Sequence, residues 1–133
     1  MINSDLNKIL YVEDEPDIQE VVYMSLVDIG GFNVKICSSG EEAVKIVSDY
    51  NPDLFLLDIM MPEIDGPTVL KIFRNFPKFA KTPAIFITAK TQMSELLESK
   101  DQGVLGIIRK PFDPITISDT IKSLWNEYSF VQS

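Results

Sequence analysis

The sequence contains no histidine, and its 133 residues include only one cysteine, Cys37. The absence of histidine excludes histidine-based acid–base catalysis, histidine metal ligands and an autophosphorylating histidine within this chain. Because Cys37 has no partner for an internal disulfide, we interpret it as a small residue at a strand end, with a redox role as the weaker alternative. Without histidine or paired cysteines, the chain is also a poor match for a zinc site.

Positive charge is scarce as well. There are 12 Lys and Arg residues against 20 Asp and Glu residues, which gives a net charge of -8. This balance disfavours direct binding to nucleic acid or to an anionic membrane surface. No apolar stretch approaches the length of a bilayer span, and the N-terminus lacks the features of a secretion signal. We therefore predict a cytoplasmic protein that contacts neither nucleic acid nor membrane.

What the chain does have is a regular alternation of strand-like and helix-like segments. Its hydrophobic fraction of 45% and charged fraction of 24% suit a globular domain. Strict alternation indicates βα units and a parallel sheet. We predict an α/β fold, a three-layer doubly wound (βα)5 sandwich, because right-handed crossovers limit the possible topologies. It forms one domain over residues 1–133, with a core from about 8 to 128.

Several helix boundaries follow from local signals. Pro16 suits the opening turn of the first helix, which Gly30 and Gly31 should stop, with Ile29 on its apolar face. Ser39 has the spacing of a capping box and should start the second helix. The fourth helix is predicted at about residues 93–101, and either Asp113 or Ser118 should start the fifth.

Polar residues stand where four of the predicted strands end. Asp58 ends an almost wholly apolar run, Glu13 and Asp14 follow the first strand, and Thr88 and Lys110 follow the fourth and fifth. Because the carboxyl ends of parallel strands meet at one rim, these side chains should lie together. Taken singly, each has a simpler interpretation as a loop cap or a solvated lysine. The set as a whole favours a functional site.

The chemistry expected at this rim is phosphoryl transfer. Three clustered carboxylates would repel one another, and a bound cation relieves that repulsion. Oxygen ligands suit Mg2+ and tolerate Mn2+. Lys110 and Thr88 could hold phosphoryl oxygens, so that charge neutralisation and alignment supply most of the catalysis. Asp58 would then be the nucleophile that becomes an acyl phosphate.

Four segments resemble, in order and spacing, the receiver domain of two-component response regulators over about residues 8–128. They are 9–15 (ILYVEDE), 53–62 (DLFLLDIMMP) with Asp65 and Gly66 after it, 83–89 (PAIFITA) and 103–112 (GVLGIIRKPF). The resemblance implies a flavodoxin-like fold of the chemotaxis-regulator type, with parallel strand order 2-1-3-4-5, so this order rests on the resemblance as much as on the alternation. It also implies a phosphoprotein for signal transduction, not an enzyme with its own substrate, that takes phosphate from a histidine kinase or a histidine phosphotransfer protein. We expect a stand-alone response regulator or a phosphorelay intermediate.

The resemblance also implies a role for each residue of the metal site. Asp58 would be the phosphoacceptor and a ligand of Mg2+. Asp14 would be the direct metal ligand and Glu13 its outer-sphere partner. Met60 would offer its backbone carbonyl to the metal.

A second set of roles concerns switching. Thr88 and Lys110 resemble the switch hydroxyl and the phosphate-binding lysine, and the bond from Lys110 to Pro111 resembles the cis peptide of the family. The usual aromatic residue three positions before the lysine is replaced by Ile107, which is stiff. We therefore expect the larger change in the loop 89–93. The predicted switch and output residues are Ala89, Lys90, Ile107 and Pro111.

The resemblance further implies an output surface and leaves two competing functions. A downstream protein should bind the face of the fourth helix, fifth strand and fifth helix, with the chain as a monomer or a phosphorylation-dependent dimer. A phosphatase of the haloacid-dehalogenase type would need an aspartate two residues after the nucleophile, where Met60 stands. A degenerate receiver acting only as a scaffold would have lost Asp58, Asp14 or Lys110, and all three are present.

Overall fold

The sheet of the protein has the predicted order. In the computed structural model, which describes residues 6–89, 103–110 and 112–132, five parallel strands are arranged 2-1-3-4-5. The strands are β1 (Lys8–Val12), β2 (Asn33–Cys37), β3 (Leu54–Asp58), β4 (Ala84–Thr88) and β5 (Val104–Arg109). The α/β class and the doubly wound topology are thus confirmed.

The described helices follow β1, β2, β3 and β5 along the chain. They are α1 (Pro16–Tyr23), a π-helical segment (Met24–Ile29), α2 (Gly40–Tyr50), α3 (Gly66–Arg74), a 3-10 turn (Pro77–Phe79) and the C-terminal helix α4 (Ile117–Gln132). This α4 is the fifth helix of the sequence prediction. The fourth predicted helix, at about 93–101, lies outside the described residues. Among the described helices, none combines the length and the apolar character that crossing a bilayer requires.

Two apolar clusters enclose the sheet, because successive side chains of a strand point to opposite faces. In β1, Leu10 and Val12 join a cluster with residues of α2 and α3, whereas Ile9 and Tyr11 join one with residues of α1 and α4. Every residue of β3 and β4 is buried. Burial on both faces explains why these strands are almost continuously apolar, and it leaves their carboxyl ends as the polar rim.

The first helix differs from its prediction in its second half. It is α-helical only to Tyr23 and continues as a π-helix to Ile29. The Gly30 N–H donates to the Ser25 carbonyl, five residues earlier, at 3.0 Å. This wider turn changes which residues face the core. Consequently Ile29, predicted on the apolar face, is 51% exposed, whereas Ser25 is fully buried.

Candidate functional site

The sheet brings the predicted acidic residues together. Asp58 is the last residue of β3 and is 2% exposed. Strands β1 and β3 are parallel neighbours, with Val12 paired to Leu57. Glu13 and Asp14 therefore leave β1 beside the end of β3. Glu13, Asp14 and Asp58 each have one carboxylate oxygen in a group whose members all lie within 4.8 Å of one another.

One oxygen of this cluster has no partner. The Oδ1 atom of Asp14 is buried and accepts no hydrogen bond from the residues that the structure describes. A buried carboxylate oxygen without a donor is unfavourable, and a cation is the natural way to satisfy it. Three carboxylates with no histidine or thiolate ligand fit a hard ion such as Mg2+. The residues present therefore fit the metal site predicted from the sequence.

Lys110 supplies the positive charge of the site. Its ammonium Nζ lies 3.1 Å from Oε1 of Glu13 and 3.3 Å from Oδ2 of Asp58. Burial lowers the pKa of Lys110, but the hydrogen bond to Glu13 and the charges of Asp58 and Glu13 outweigh burial, so the pKa is raised. The Lys110 backbone N–H donates to the Thr88 carbonyl at 2.8 Å, which links the end of β5 to that of β4. The ammonium is therefore a fixed positive charge beside Asp58.

Glu13 lies deepest in the site and is fully buried. Its Oε1 accepts from the Tyr11 hydroxyl at 3.1 Å, and its Oε2 from the Glu15 N–H at 3.4 Å. Burial and the neighbouring Asp58 raise the pKa of Glu13 to about 7, although Lys110 acts in the opposite direction. Burial and the charge of Glu13 also raise the pKa of Tyr11, so its hydroxyl stays a donor.

Sequence patterns do not reveal the supporting role of three residues. Tyr11 lies within an apolar strand pattern, although a buried tyrosine hydroxyl usually requires a partner. The Gln19 side-chain amide donates to the Glu13 carbonyl at 2.5 Å and to the Ser38 hydroxyl at 3.1 Å. Gly66 belongs to a sequence motif that does not indicate its contact with the main chain of Asp58. A Cβ atom on Gly66 would lie 2.5 Å from the Asp58 carbonyl oxygen, so this position requires glycine.

The loop after Asp58 turns back onto the carboxylate. The Met60 N–H donates to Oδ1 of Asp58 at 3.2 Å, while the Met60 side chain is 52% exposed. The Ile59 N–H donates to the Ile87 carbonyl at 2.9 Å, which holds the start of the loop to β4. The loop therefore orients the Asp58 carboxylate through one main-chain donor, the Met60 N–H.

The remaining predicted residues lie near this rim or outside the described part of the chain. Thr88 ends β4 and is 2% exposed, and Ala89 after it is exposed. Ile107 is half-buried in β5 and pairs with Phe86. Lys90 and Pro111 lie outside the described residues, as does most of the loop 89–93.

Cys37 stands at the end of β2, as predicted, and is fully buried. Burial and the charge of Glu42 raise the pKa of its thiol to about 12. A thiol that stays protonated at neutral pH is a poor nucleophile. This environment favours the packing role over the redox role.

Comparison with known proteins gives a consistent result. A model of the response regulator receiver domain matches residues 9–122. The chain is 37% identical over 116 residues to a probable transcriptional regulator of Porphyra purpurea, covering 87% of this chain and 55% of that protein. It is 32% identical to a response regulator of Synechocystis, covering 87% of this chain and 50% of that protein. The chain thus spans about half the length of these curated relatives.

Solved structures give the same picture of the fold. The chemotaxis response regulator CheY4 of Vibrio cholerae superposes with a TM-score of 0.82 at 28% identity, covering 90% of this chain and 99% of that one. A putative response regulator of Chloroflexus aurantiacus superposes with a TM-score of 0.80 at 27% identity, covering 92% and 99%.

Proposed function

The chain belongs to the family of response regulator receiver domains, and on that premise we propose that Asp58 is its phosphoacceptor. In this proposal, Asp58 takes a phosphoryl group from a phosphohistidine of a partner protein in a Mg2+-dependent reaction. The acyl phosphate then changes the affinity of the domain for a downstream protein. The domain catalyses only its own phosphorylation and dephosphorylation.

One arrangement supports this assignment above all others. The Asp58 carboxylate lies 3.3 Å from the Lys110 ammonium and belongs to an acidic cluster in which Asp14 Oδ1 is buried without a partner among the described residues. A purely structural ion pair would not require an additional buried carboxylate oxygen without a donor. A site that gains a cation and a phosphoryl group would use both features.

The proposed metal ligands are Asp14, Asp58 and the backbone carbonyl of Met60, with Glu13 in the outer sphere. When bound, Mg2+ would neutralise charge on the phosphoryl oxygens. Mn2+ has the same preference for oxygen ligands and should substitute. The proposed role of Glu13 agrees with its burial and with the hydrogen bonds that fix its carboxylate.

The proposed chemical step is a substitution at phosphorus. An Asp58 carboxylate oxygen forms a bond to phosphorus, the phosphorus–nitrogen bond of the partner breaks, and the imidazole leaves with the bonding electron pair. The Met60 N–H, which donates to Oδ1 of Asp58, helps to orient the carboxylate. The Lys110 ammonium pairs with the Asp58 carboxylate before the reaction and is proposed to pair with a phosphoryl oxygen after it. The Thr88 hydroxyl is proposed to bind another phosphoryl oxygen.

The proposed partners follow from the family and from the chain's charge. A histidine kinase or a histidine phosphotransfer protein would donate the phosphate. The predicted output face includes Arg109 of β5, which is exposed, together with predicted helix residues outside the described part. Several relatives are named as transcriptional regulators, but we propose no direct nucleic-acid contact for this domain, because its net charge is -8. A cytoplasmic location, one domain over 1–133, and a monomer or phosphorylation-dependent dimer remain predictions.

Phosphorylation by a small donor tests the proposal. The protein is incubated with phosphoramidate and Mg2+, and its intact mass is followed with time. We expect one phosphate adduct, and we expect none with Asp58→Asn or in excess EDTA. The matched control is Asp49→Asn, which removes an exposed carboxylate on α2 and should leave the adduct unchanged. An adduct that persists in Asp58→Asn would reject the assignment.

A further inference from the structure

Two buried serines form a hydrogen-bonded connection outside the acidic site. Ser25 lies in the π-helical segment and Ser118 in the first turn of α4, and they are 0% and 1% exposed. The Ser118 hydroxyl donates to the Ser25 carbonyl at 2.6 Å, and the Ser25 hydroxyl donates to the Pro114 carbonyl at 2.5 Å. Their neighbours in sequence, Leu26 and Ile117, belong to the apolar core. A polar pair in such a place is stable only if its hydrogen bonds are made.

The π-helical turn and Gly30 make this connection possible. The Ser25 carbonyl accepts from the Gly30 N–H at 3.0 Å and still has a second lone pair for Ser118. A Cβ atom on Gly30 would lie 2.7 Å from the Ser118 hydroxyl oxygen and 2.8 Å from the Leu26 carbonyl oxygen. A larger residue at this position would therefore push the hydroxyl away. Ser25 and Gly30, at the end of the first helix, and Ser118 of α4 are thus matched to one contact.

The connection ends on the chain segment that follows Lys110. Pro114 is four residues beyond Lys110. At the other end of the segment, the Lys110 N–H is bonded to the Thr88 carbonyl at 2.8 Å. The Asp113 carbonyl accepts from the Ile117 N–H at 3.1 Å and closes the turn into α4. The segment is thus anchored to β4 at Lys110 and to the first helix at Pro114.

We propose that Ser25 and Ser118 are positioning residues for Lys110. By fixing the Pro114 end of the segment against the first helix, they keep the Lys110 ammonium between Asp58 and Glu13. This inference rests on the proposed phosphoacceptor function, because Lys110 is the group that stabilises the transferred phosphoryl charge. Charge stabilisation falls with distance, and a displacement of about 1 Å can slow a reaction by up to about a hundredfold.

The first test measures phosphorylation rates with phosphoramidate and Mg2+. Ser25→Ala should slow the reaction roughly tenfold by releasing Pro114. Ser118→Ala should slow it less, because the Ser25 carbonyl keeps its bond to Gly30, and Ser118→Thr should recover the rate since it retains a hydroxyl. The control Ser123→Ala, at an exposed position of α4, should not change the rate.

A double-mutant cycle separates positioning from a general loss of stability. In a Lys110→Ala background, Ser25→Ala should produce no further slowing, because a positioning residue acts only through the residue that it positions. Equal slowing with and without Lys110 would overturn the proposal. So would a folded Ser25→Ala protein that reacts at the original rate.

A second readout does not depend on phosphorylation. The 15N resonance of the Lys110 ammonium, assigned by its loss in Lys110→Ala, should move in Ser25→Ala and stay in place in Ser123→Ala. If the unaltered protein takes up no phosphate, the proposed function fails, and this resonance alone decides the role of the serines. Should Ser25→Ala not fold, Gly30→Ala displaces the Ser118 hydroxyl, which donates to the Ser25 carbonyl, and must move the same resonance. An unmoved resonance in either folded variant overturns the proposal.

Discussion

Gly66→Ala should damage the site through the main chain, without touching any charged group. The added Cβ would lie 2.5 Å from the Asp58 carbonyl oxygen and 3.1 Å from both the Asp58 carbonyl carbon and the Ile59 Cα. All three contacts are backbone atoms, so no side-chain rotation relieves them. Because real Cβ atoms are essentially never closer than 3.0 Å to such an atom, the Asp58 peptide and residue 66 must move apart by at least about 0.5 Å. Asp58 is the phosphoacceptor of the proposal, so this displacement falls on the reacting carboxylate.

Two effects of Gly66→Ala can be estimated. Overpacking of this kind costs about 1–3 kcal/mol of unfolding free energy. A displacement of about half an ångström at the nucleophile should slow phosphorylation by roughly tenfold, given that about 1 Å can cost a hundredfold. Urea unfolding measures the first effect, and the rate of adduct formation from phosphoramidate measures the second.

A glycine remote from the site provides the matched control. Gly31 has a positive φ of 76°, and a Cβ atom added there would meet no other part of the described chain within 4 Å, so Gly31→Ala is strained by its backbone alone. It should cost about 1 kcal/mol of stability and leave the phosphorylation rate unchanged. If Gly66→Ala slows the reaction no more than Gly31→Ala does, Gly66 is not what holds Asp58 in position.

The other predictions concern the charges of the site and the buried thiol. Asp14→Asn should raise the unfolding free energy in EDTA, because it removes one of three mutually repelling carboxylates. The same substitution should weaken Mg2+ binding by at least about tenfold in a calorimetric titration. Unchanged Mg2+ affinity would rule out Asp14 as a ligand. Lys110→Ala should lower the unfolding free energy in EDTA by about 3 kcal/mol, because it leaves buried carboxylates unpaired. Lys45→Ala breaks an exposed 4.0 Å pair with Glu41 and should lower it by less than about 0.5 kcal/mol. Equal losses of unfolding free energy in urea would contradict the buried role of Lys110. The pKa of the Cys37 thiol is raised from 9.0 to about 12 in the folded protein, so the thiol of the unfolded chain ionises first as pH rises. Above about pH 9 the protein should therefore lose stability, and Cys37→Ala should lack this loss. Identical profiles of stability against pH for the two proteins would refute the prediction.

The sequence was sufficient to predict the parallel sheet and the meeting of the acidic residues at one rim. The roles of these residues in phosphoryl transfer stay predictions. Strands β3 and β4 are continuous apolar runs because both of their faces are covered, and such runs are recognisable without a structure. The acidic residues were predicted to meet because carboxyl ends of neighbouring parallel strands share one rim. Local signals also held at α2, where the Glu42 N–H donates to the Ser39 hydroxyl at 3.1 Å. In return, the Glu42 carboxylate accepts a hydrogen bond from the Ser38 N–H at 3.0 Å. An ideal capping box would use the N–H of the next residue, Ser39.

Features that depend on packing between distant segments could not be predicted in the same way. The π-helical turn in the first helix is an example, because the spacing of Val22 and Leu26 is compatible with a regular α-helix up to Gly30. The widened turn is accompanied by contacts made by Ser118, 93 residues away along the chain. Periodicity describes one helix at a time and carries no information about such contacts. For that reason the exposure of Ile29 was predicted wrongly.

The same reasoning explains why the support of the site was less visible than the site itself. Tyr11 lies within an apolar strand and Ser25 beside apolar helix positions, and neither pattern indicates a hydrogen-bond partner. A buried hydroxyl, however, needs a hydrogen-bond partner. The Tyr11 hydroxyl donates to the Glu13 carboxylate in the site, and the Ser25 hydroxyl donates to the Pro114 carbonyl in the segment beside it. An apolar residue at either position would pack without directing anything. A polar residue inside an apolar pattern is therefore a useful sequence signal for groups that position a functional site, even where no motif includes it.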